Sequence, residues 1–251
     1  MTYRAINLIL ALCLAFVVWG CKKGGTSPDA QEAAAPEQIA KEEVTEESEP
    51  AASADAQPES VPEPEPAPPA AYEKPEGAIT VKLETTRGDI IIDVVPFWAP
   101  RGAKRFLELV RTEYYTDVAF FRVMKDFMAQ TGISGTPKLN NKWGRKRIKD
   151  DPVMRRNTRG MVTFAHAGQN SRTTQFFINL ADNTQLDASG FSVFGKVRDM
   201  TAADALYSGY GDGPPDGKGP DQSKTKKKGN KFLREQFPKL DYVISATIIE
   251  E

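Results

Sequence analysis

Histidine occurs once and cysteine twice in these 251 residues. One imidazole cannot build a multi-histidine metal site, and two thiols supply neither a zinc ribbon nor the disulfide framework that small secreted domains rely on. A Gly-x-Ser-x-Gly nucleophile elbow is missing too, and the stretch Phe164-Ala165-His166-Ala167-Gly168 carries no acid or nucleophile beside the lone imidazole. Triad hydrolysis is thereby disfavoured. The Gly-rich segment from Gly209 to Gly219 lacks the Gly-Lys-Ser/Thr ending of a phosphate loop, so it reads as a surface loop.

What is present is strongly segregated by charge. Residues 22–77 carry 14 acidic and 4 basic side chains, a net of −10, while residues 78–251 carry 28 basic against 20 acidic, a net of +8. Ahead of both, Arg4 precedes the apolar run from Ile6 to Val18, which ends in Trp19-Gly20-Cys21. The run is short for a membrane span and has the layout of an export signal over residues 1–20. Its end resembles a bacterial lipobox, which implies cleavage before Cys21 and lipid attachment to its thiol. The expected location is extracytoplasmic, with the protein held to a bacterial cell membrane by that lipid.

Residues 21–77 read as a tether. Twelve Ala, 12 Glu and 10 Pro fill residues 22–77, with Ile39, Val44, Val61 and Tyr72 as the larger apolar side chains. Too little apolar surface is available to offset the entropy of ordering. The domain proper is expected over residues 78–251.

There the texture becomes short alternating segments. Ile79 to Glu84 and Ile90 to Val94 flank Thr86-Arg87-Gly88-Asp89, a hairpin pattern. Ala103, Phe106, Leu107 and Val110 fall on one face of a helix beginning near Pro100. Strand-like segments follow at 118–124, 161–165, 175–180, 192–197 and 242–249, with a second short helix near 200–207. Short strands with turn residues between them argue for a mainly β fold, a closed antiparallel barrel or a sandwich, with two helices able to cap a barrel. The basic run from Lys224 to Lys231 reads as a solvated loop rather than a nucleic-acid site. Nothing in the pattern asks for more than a monomer.

Two segments concentrate unusual residues: Phe120 to Gly132, containing Arg122, and Thr174 to Asn179. They place one fixed cation among large apolar side chains and amides, without an acid-base pair. Together with Asn157-Thr158-Arg159-Gly160 leading to Phe164-Ala165, and with Leu186-Asp187 followed by Phe194-Gly195-Lys196-Val197, they resemble the cyclophilin-type peptidyl-prolyl isomerases, with four blocks in family order. The resemblance implies an eight-stranded antiparallel barrel capped by two helices, and catalysis of rotation about X-Pro bonds of polypeptide clients, with no metal or cofactor. It implies Arg122 as the catalytic group, a proline pocket lined by Phe127, Met128, Phe177 and Leu186, and Phe194 in the core behind it. Gln130, Ala165, His166 and Gln175 would hold the peptide or support Arg122. Gln185 stands at a further contact position, where many relatives carry a tryptophan, and Lys125-Asp126 replaces the usual Pro-Gly. The alternative is a groove that binds Pro-containing segments, or acts as a chaperone, without catalysis.

Overall fold

Turn chemistry sets the first hairpin. In the computed structural model, which describes residues 72–250, Ile79–Thr85 (β1) and Gly88–Val94 (β2) pair antiparallel with Val81 opposite Ile92 and Leu83 opposite Ile90. Gly88 takes φ +109°, which a Cβ would disfavour, and Thr85 Oγ1 donates to its carbonyl oxygen at 2.6 Å. Val81, Leu83, Ile90 and Ile92 are buried while Glu84 and Asp89 face water, the period-two pattern of a sheet with one dry face. The export segment, Cys21 and the tether up to residue 71 lie outside the described residues.

Seven more strands join this hairpin in one antiparallel sheet. They are Val118–Ala119 (β3), Arg122–Val123 (β4), Met128–Thr131 (β5), Met161–Phe164 (β6), Phe176–Asn179 (β7), Val193–Val197 (β8) and Tyr242–Glu250 (β9). Their order is β3-β9-β1-β2-β8-β6-β7-β5-β4. The eight strands expected become nine because β3 and β4 are the two halves of one interrupted strand. Only Phe120 and Phe121 separate them, both buried, so the chain itself joins the two ends of the curled sheet.

The helix Pro100–Arg111 (α1) turns Ala103, Phe106, Leu107 and Val110 inward, as its spacing requires. Phe106 meets Phe194 at 5.0 Å and Phe176 at 5.2 Å between ring centroids, and Phe164 meets Phe194 at 5.0 Å. Truncating such a ring to Ala costs about 3–5 kcal/mol in a packed interior. Proline at the first turn suits α1, but Ala99 offers no side chain to cap it. The cap comes from a distant loop: Asp151 accepts from the backbone N–H of Arg101 at 3.1 Å and of Gly102 at 2.8 Å. That carboxylate also faces the fully buried guanidinium of Arg172 at 3.1 Å.

Two helices are expected from the sequence, and the described residues carry four. Besides α1, they are Pro137–Trp143 (α2), Thr201–Asp204 (α3) and Gln222–Gln236 (α4). The basic run is therefore helical and not a loop. Asp221 caps it by accepting from Lys224 N at 2.6 Å, lysines face solvent, and Thr225 and Leu233 are buried. With so few apolar side chains, its periodicity is too weak to read. The helix breaks at Gly229, φ +63°, where a Cβ would stand 2.0 Å from the Gly135 carbonyl oxygen. Leu233, Phe232 and Phe237 then pack with Leu240, Tyr242 and Ala119 in a small separate core.

Two residues ahead of residue 78 are fastened to the sheet. Tyr72 donates to Asp93 Oδ2 at 2.5 Å, and Lys74 pairs with Glu250 at 2.9 Å. Tyr72 supplies the ring, and Asp93 the buried acceptor, that the poor hydrophobicity of the preceding segment conceals.

Candidate active site

Strand alternation builds the site. In β5, Met128 and Gln130 share one side, and in β7 Phe177 and Asn179 share the same side, because Gln130 pairs with Phe177 and Met128 with Asn179. Arg122 of β4 sits opposite Gln130 in the next register. Three neighbouring strands thus contribute Arg122, Met128, Gln130 and Phe177 to one surface.

Phe127 arrives by a turn at the end of that surface. Met124 N donates to Met128 O at 2.9 Å and Phe127 N to Met124 O at 3.0 Å, so Lys125-Asp126 closes the turn without Pro-Gly. Asn183 Nδ2 and Leu180 N both donate to the Phe127 carbonyl, at 2.8 and 2.9 Å. The turn is held by its own backbone and from outside as well.

A cleft of about 570 Å³ opens over these side chains. Nine of the ten residues expected at the site line it: Arg122, Phe127, Met128, Gln130, Ala165, His166, Gln175, Phe177 and Leu186. Gln185 does not; it is exposed on the 3-10 turn Thr184–Ser189, whose geometry carries Leu186 to the cleft and Gln185 away from it. Phe194 lies fully buried behind, among Phe106, Phe164 and Phe176.

An amide relay holds the cation. Arg122 Nη1 donates to Gln130 Oε1 at 3.3 Å, and Gln130 Nε2 donates to Gln175 Oε1 at 2.9 Å. The guanidinium carbon is 5.7 Å from the centre of the Phe127 ring, so charge and apolar floor adjoin. Its Nη2 meets Asp212 Oδ2 at 2.6 Å, and its Nε is buried without a hydrogen-bond partner among the described residues.

His166 stacks on Phe191 with centroids 3.9 Å apart, and Phe191 meets Phe177 edge-on at 5.7 Å. Its Nδ1 accepts from Gly168 N at 3.3 Å. Burial pushes the imidazole below its ordinary value, the Asp150 charge pulls the other way, and the Arg172 charge adds to the lowering. The ring is therefore neutral near pH 7 and serves as a flat wall.

Asp212, Phe191, and the cleft-lining Gln222 and Lys226 of α4 escape the sequence reading. Phe191 sits just ahead of the strand β8 that the alternation does reveal. No local pattern signals that Asp212 meets Arg122, because that contact forms across 90 residues of chain, and none signals that α4 reaches the cleft.

The sequence profile described as "Cyclophilin type peptidyl-prolyl cis-trans isomerase/CLD" matches residues 80–222. A human protein named peptidyl-prolyl cis-trans isomerase-like 3 is 38% identical over 125 residues, covering 48% of this chain and 76% of its own. The Caenorhabditis elegans peptidyl-prolyl cis-trans isomerase 10 is 38% identical over 128 residues, with the same 48% and 76% coverage. In fold, a Cryptosporidium parvum cyclophilin type peptidyl-prolyl cis-trans isomerase superposes with a TM-score of 0.52 at 21% identity, over 69% of this chain and 99% of that one. A second structure of that protein, determined in the presence of the dipeptide Ala-Pro, superposes with a TM-score of 0.51 at 21% identity, over 68% of this chain and 99% of that one. Four sequence blocks, one curled antiparallel sheet and a profile spanning more than half the chain agree, and the chain belongs to the cyclophilin-type peptidyl-prolyl cis-trans isomerase family.

Proposed function

We propose that this isomerase uses Arg122 as its catalytic group on Pro-containing polypeptides, from a lipid-anchored position in a bacterial cell envelope. The observation that carries the catalytic assignment is the guanidinium held by Gln130 at 3.3 Å beside the apolar floor of Phe127. Phe127, Met128, Phe177 and Leu186 receive the prolyl ring, while Gln130, Ala165, His166 and Gln175 align the flanking backbone.

The chemistry asks for no proton transfer. Rotation about X-Pro faces a barrier of about 20 kcal/mol because amide resonance must be broken, and no bond is made or cleaved. As the amide twists, the prolyl nitrogen pyramidalises and its lone pair becomes an acceptor. A guanidinium stays cationic and donates to it as an electrostatic stabiliser. Each tenfold gain in rate takes about 1.4 kcal/mol of preferential binding to the twisted form, within reach of one charge-assisted hydrogen bond.

The test is the cis-to-trans rate on a Pro-containing peptide, in a protease-free assay, for the full-length chain and Arg122→Ala. At least a tenfold loss of kcat/KM is expected, about 1.4 kcal/mol. An unchanged rate overturns the assignment. Location rests on the apolar run Ile6 to Val18 followed by Cys21. Radiolabelled palmitate should enter the wild-type chain and not Cys21→Ala in a bacterial host, and an unlabelled wild type would remove the anchored reading.

A further inference from the structure

Five glycines fall within the eleven residues Gly209 to Gly219, a composition that ordinarily makes a loose loop. Here the loop is wound around a single residue. Gly217 N donates to Gly213 O at 3.0 Å, and Gly219 N to Asp212 O at 2.7 Å. A Cβ on Gly217 would stand 2.2 Å from the Asp212 carbonyl oxygen, and one on Gly219 2.8 Å from the same atom. The glycines are needed because the chain closes that tightly on Asp212.

The side chain of Asp212 is held as firmly. Its Oδ1 accepts from Gly213 N at 2.7 Å, which leaves Oδ2 to meet Arg122 Nη2 at 2.6 Å. Gly211 bridges to Val123, the strand neighbour of Arg122, so loop and strand share a register. Asp212 lines a smaller cavity with Phe121 and Arg122, and does not line the main cleft. It therefore meets the guanidinium from the smaller cavity and leaves the main cleft free for a peptide.

We propose that Asp212 is a positioning residue for the isomerase reaction, fixing the Arg122 guanidinium so that its remaining N–H groups meet the twisting amide; this rests on Arg122 being the catalytic group. The grip from Gln130, at 3.3 Å, is long and neutral at its acceptor. The one from Asp212 is short and charge-assisted, the stronger kind. Holding both terminal nitrogens fixes the guanidinium plane, which a single contact would leave free to pivot. Positioning of this sort acts on the transition state, where the geometry is demanding, more than on peptide affinity.

The experiment measures kcat and KM for one Pro-containing peptide with the full-length wild type, Asp212→Ala, Asp212→Asn, Arg122→Ala and the double variant R122A/D212A. Asp212→Ala is expected to lower kcat about tenfold with KM within about twofold, and to cost nothing further when Arg122 is already Ala. Asp212→Asn keeps an acceptor and the loop's shape but loses the charge, and is expected to lower kcat about threefold. It decides the matter if Asp212→Ala does not fold. An unchanged kcat, a loss confined to KM, or the same loss in the Arg122→Ala background would each overturn the proposal. A fast Arg122→Ala would remove the catalytic assignment and this one with it; a slow Arg122→Ala beside a fast Asp212→Asn removes this one alone.

Discussion

Replacing Asp151 by Ala should be among the most damaging single changes in this domain, although the residue lies in a loop. Its side chain is fully buried and serves two partners at once. It accepts from the first-turn N–H groups of α1, at 3.1 Å from Arg101 and 2.8 Å from Gly102, and from both terminal nitrogens of Arg172 at 3.1 Å. Breaking a buried ion pair from one side costs about 3–5 kcal/mol, because the remaining charge is stranded. Loss of a helix cap adds about 1 kcal/mol. Arg172 keeps the carbonyl of Lys149 and has Asp150 Oδ1 3.3 Å from its Nε, so the net loss should be about 4 kcal/mol. For a domain of this size that lowers the melting temperature by roughly 8–16 °C. Urea unfolding followed by circular dichroism, with wild type and variant side by side, gives the difference directly. The double change Asp151→Ala with Arg172→Met should recover part of the loss, since no charge is then stranded. A single-variant loss below about 1 kcal/mol, or a double variant worse than the single one, would refute the reasoning.

Three further outcomes follow from the same structure. Burial alone would raise the Asp93 carboxyl, but hydrogen bonds from Arg198, Tyr72 and Thr80 hold it below the ordinary carboxylate value. Its stabilisation is thus present above about pH 3.9 and disappears as pH falls through the lowered folded value, so Asp93→Asn should flatten the acid limb of stability against pH. Parallel acid limbs in the two proteins would contradict this. His166, lowered chiefly by burial, should leave peptide affinity level above about pH 6.5 and weaken it in more acid solution, where protonation charges the ring stacked on Phe191. A His166→Asn variant with the same acid decline would assign the titration elsewhere. Gly132 takes φ +100°, and a Cβ there would stand 2.4 Å from the Thr174 carbonyl oxygen, so Gly132→Ala should force β5 from β7, cost about 2–3 kcal/mol and raise KM. Denaturation together with Michaelis kinetics checks both, and a variant as stable as wild type would count against the geometry.

Legibility followed the range of each interaction. Hairpin β1–β2, helix α1 and the β6–β8 segments show in the sequence because side-chain period and turn residues are local signals. The cleft residues from Arg122 to Gln130 and from Gln175 to Leu186 show because two short segments carry nearly all of them. Helix α4 does not: four lysines over Thr225 to Lys231 mask its single buried leucine, and its start depends on the side chain of Asp221. The grip of Asp212 on Arg122 and the cap of α1 by Asp151 also stay hidden. Each joins residues 49 or more positions apart through a lone carboxylate, and one Asp among loop residues looks like any other. Gln185 differs in the opposite sense: the resemblance gives it a contact position, and it stands exposed on the 3-10 turn outside the cleft's lining.

The fastening of Tyr72 and Lys74 has a mechanical meaning. A pull on the chain ahead of Tyr72 is shared by Asp93 on β2 and Glu250 on β9 before it reaches β1, which lies between those two strands with a ladder on either side. Tension along β1 would load the rungs of both ladders in shear and together, a far stiffer response than peeling them one at a time. The strands bearing Arg122, Gln130 and Phe177 are β4, β5 and β7, none of which pairs with β1, β2 or β9. Force arriving ahead of Tyr72 would thereby fall first on β2 and β9, two strands that contribute no side chain to the cleft.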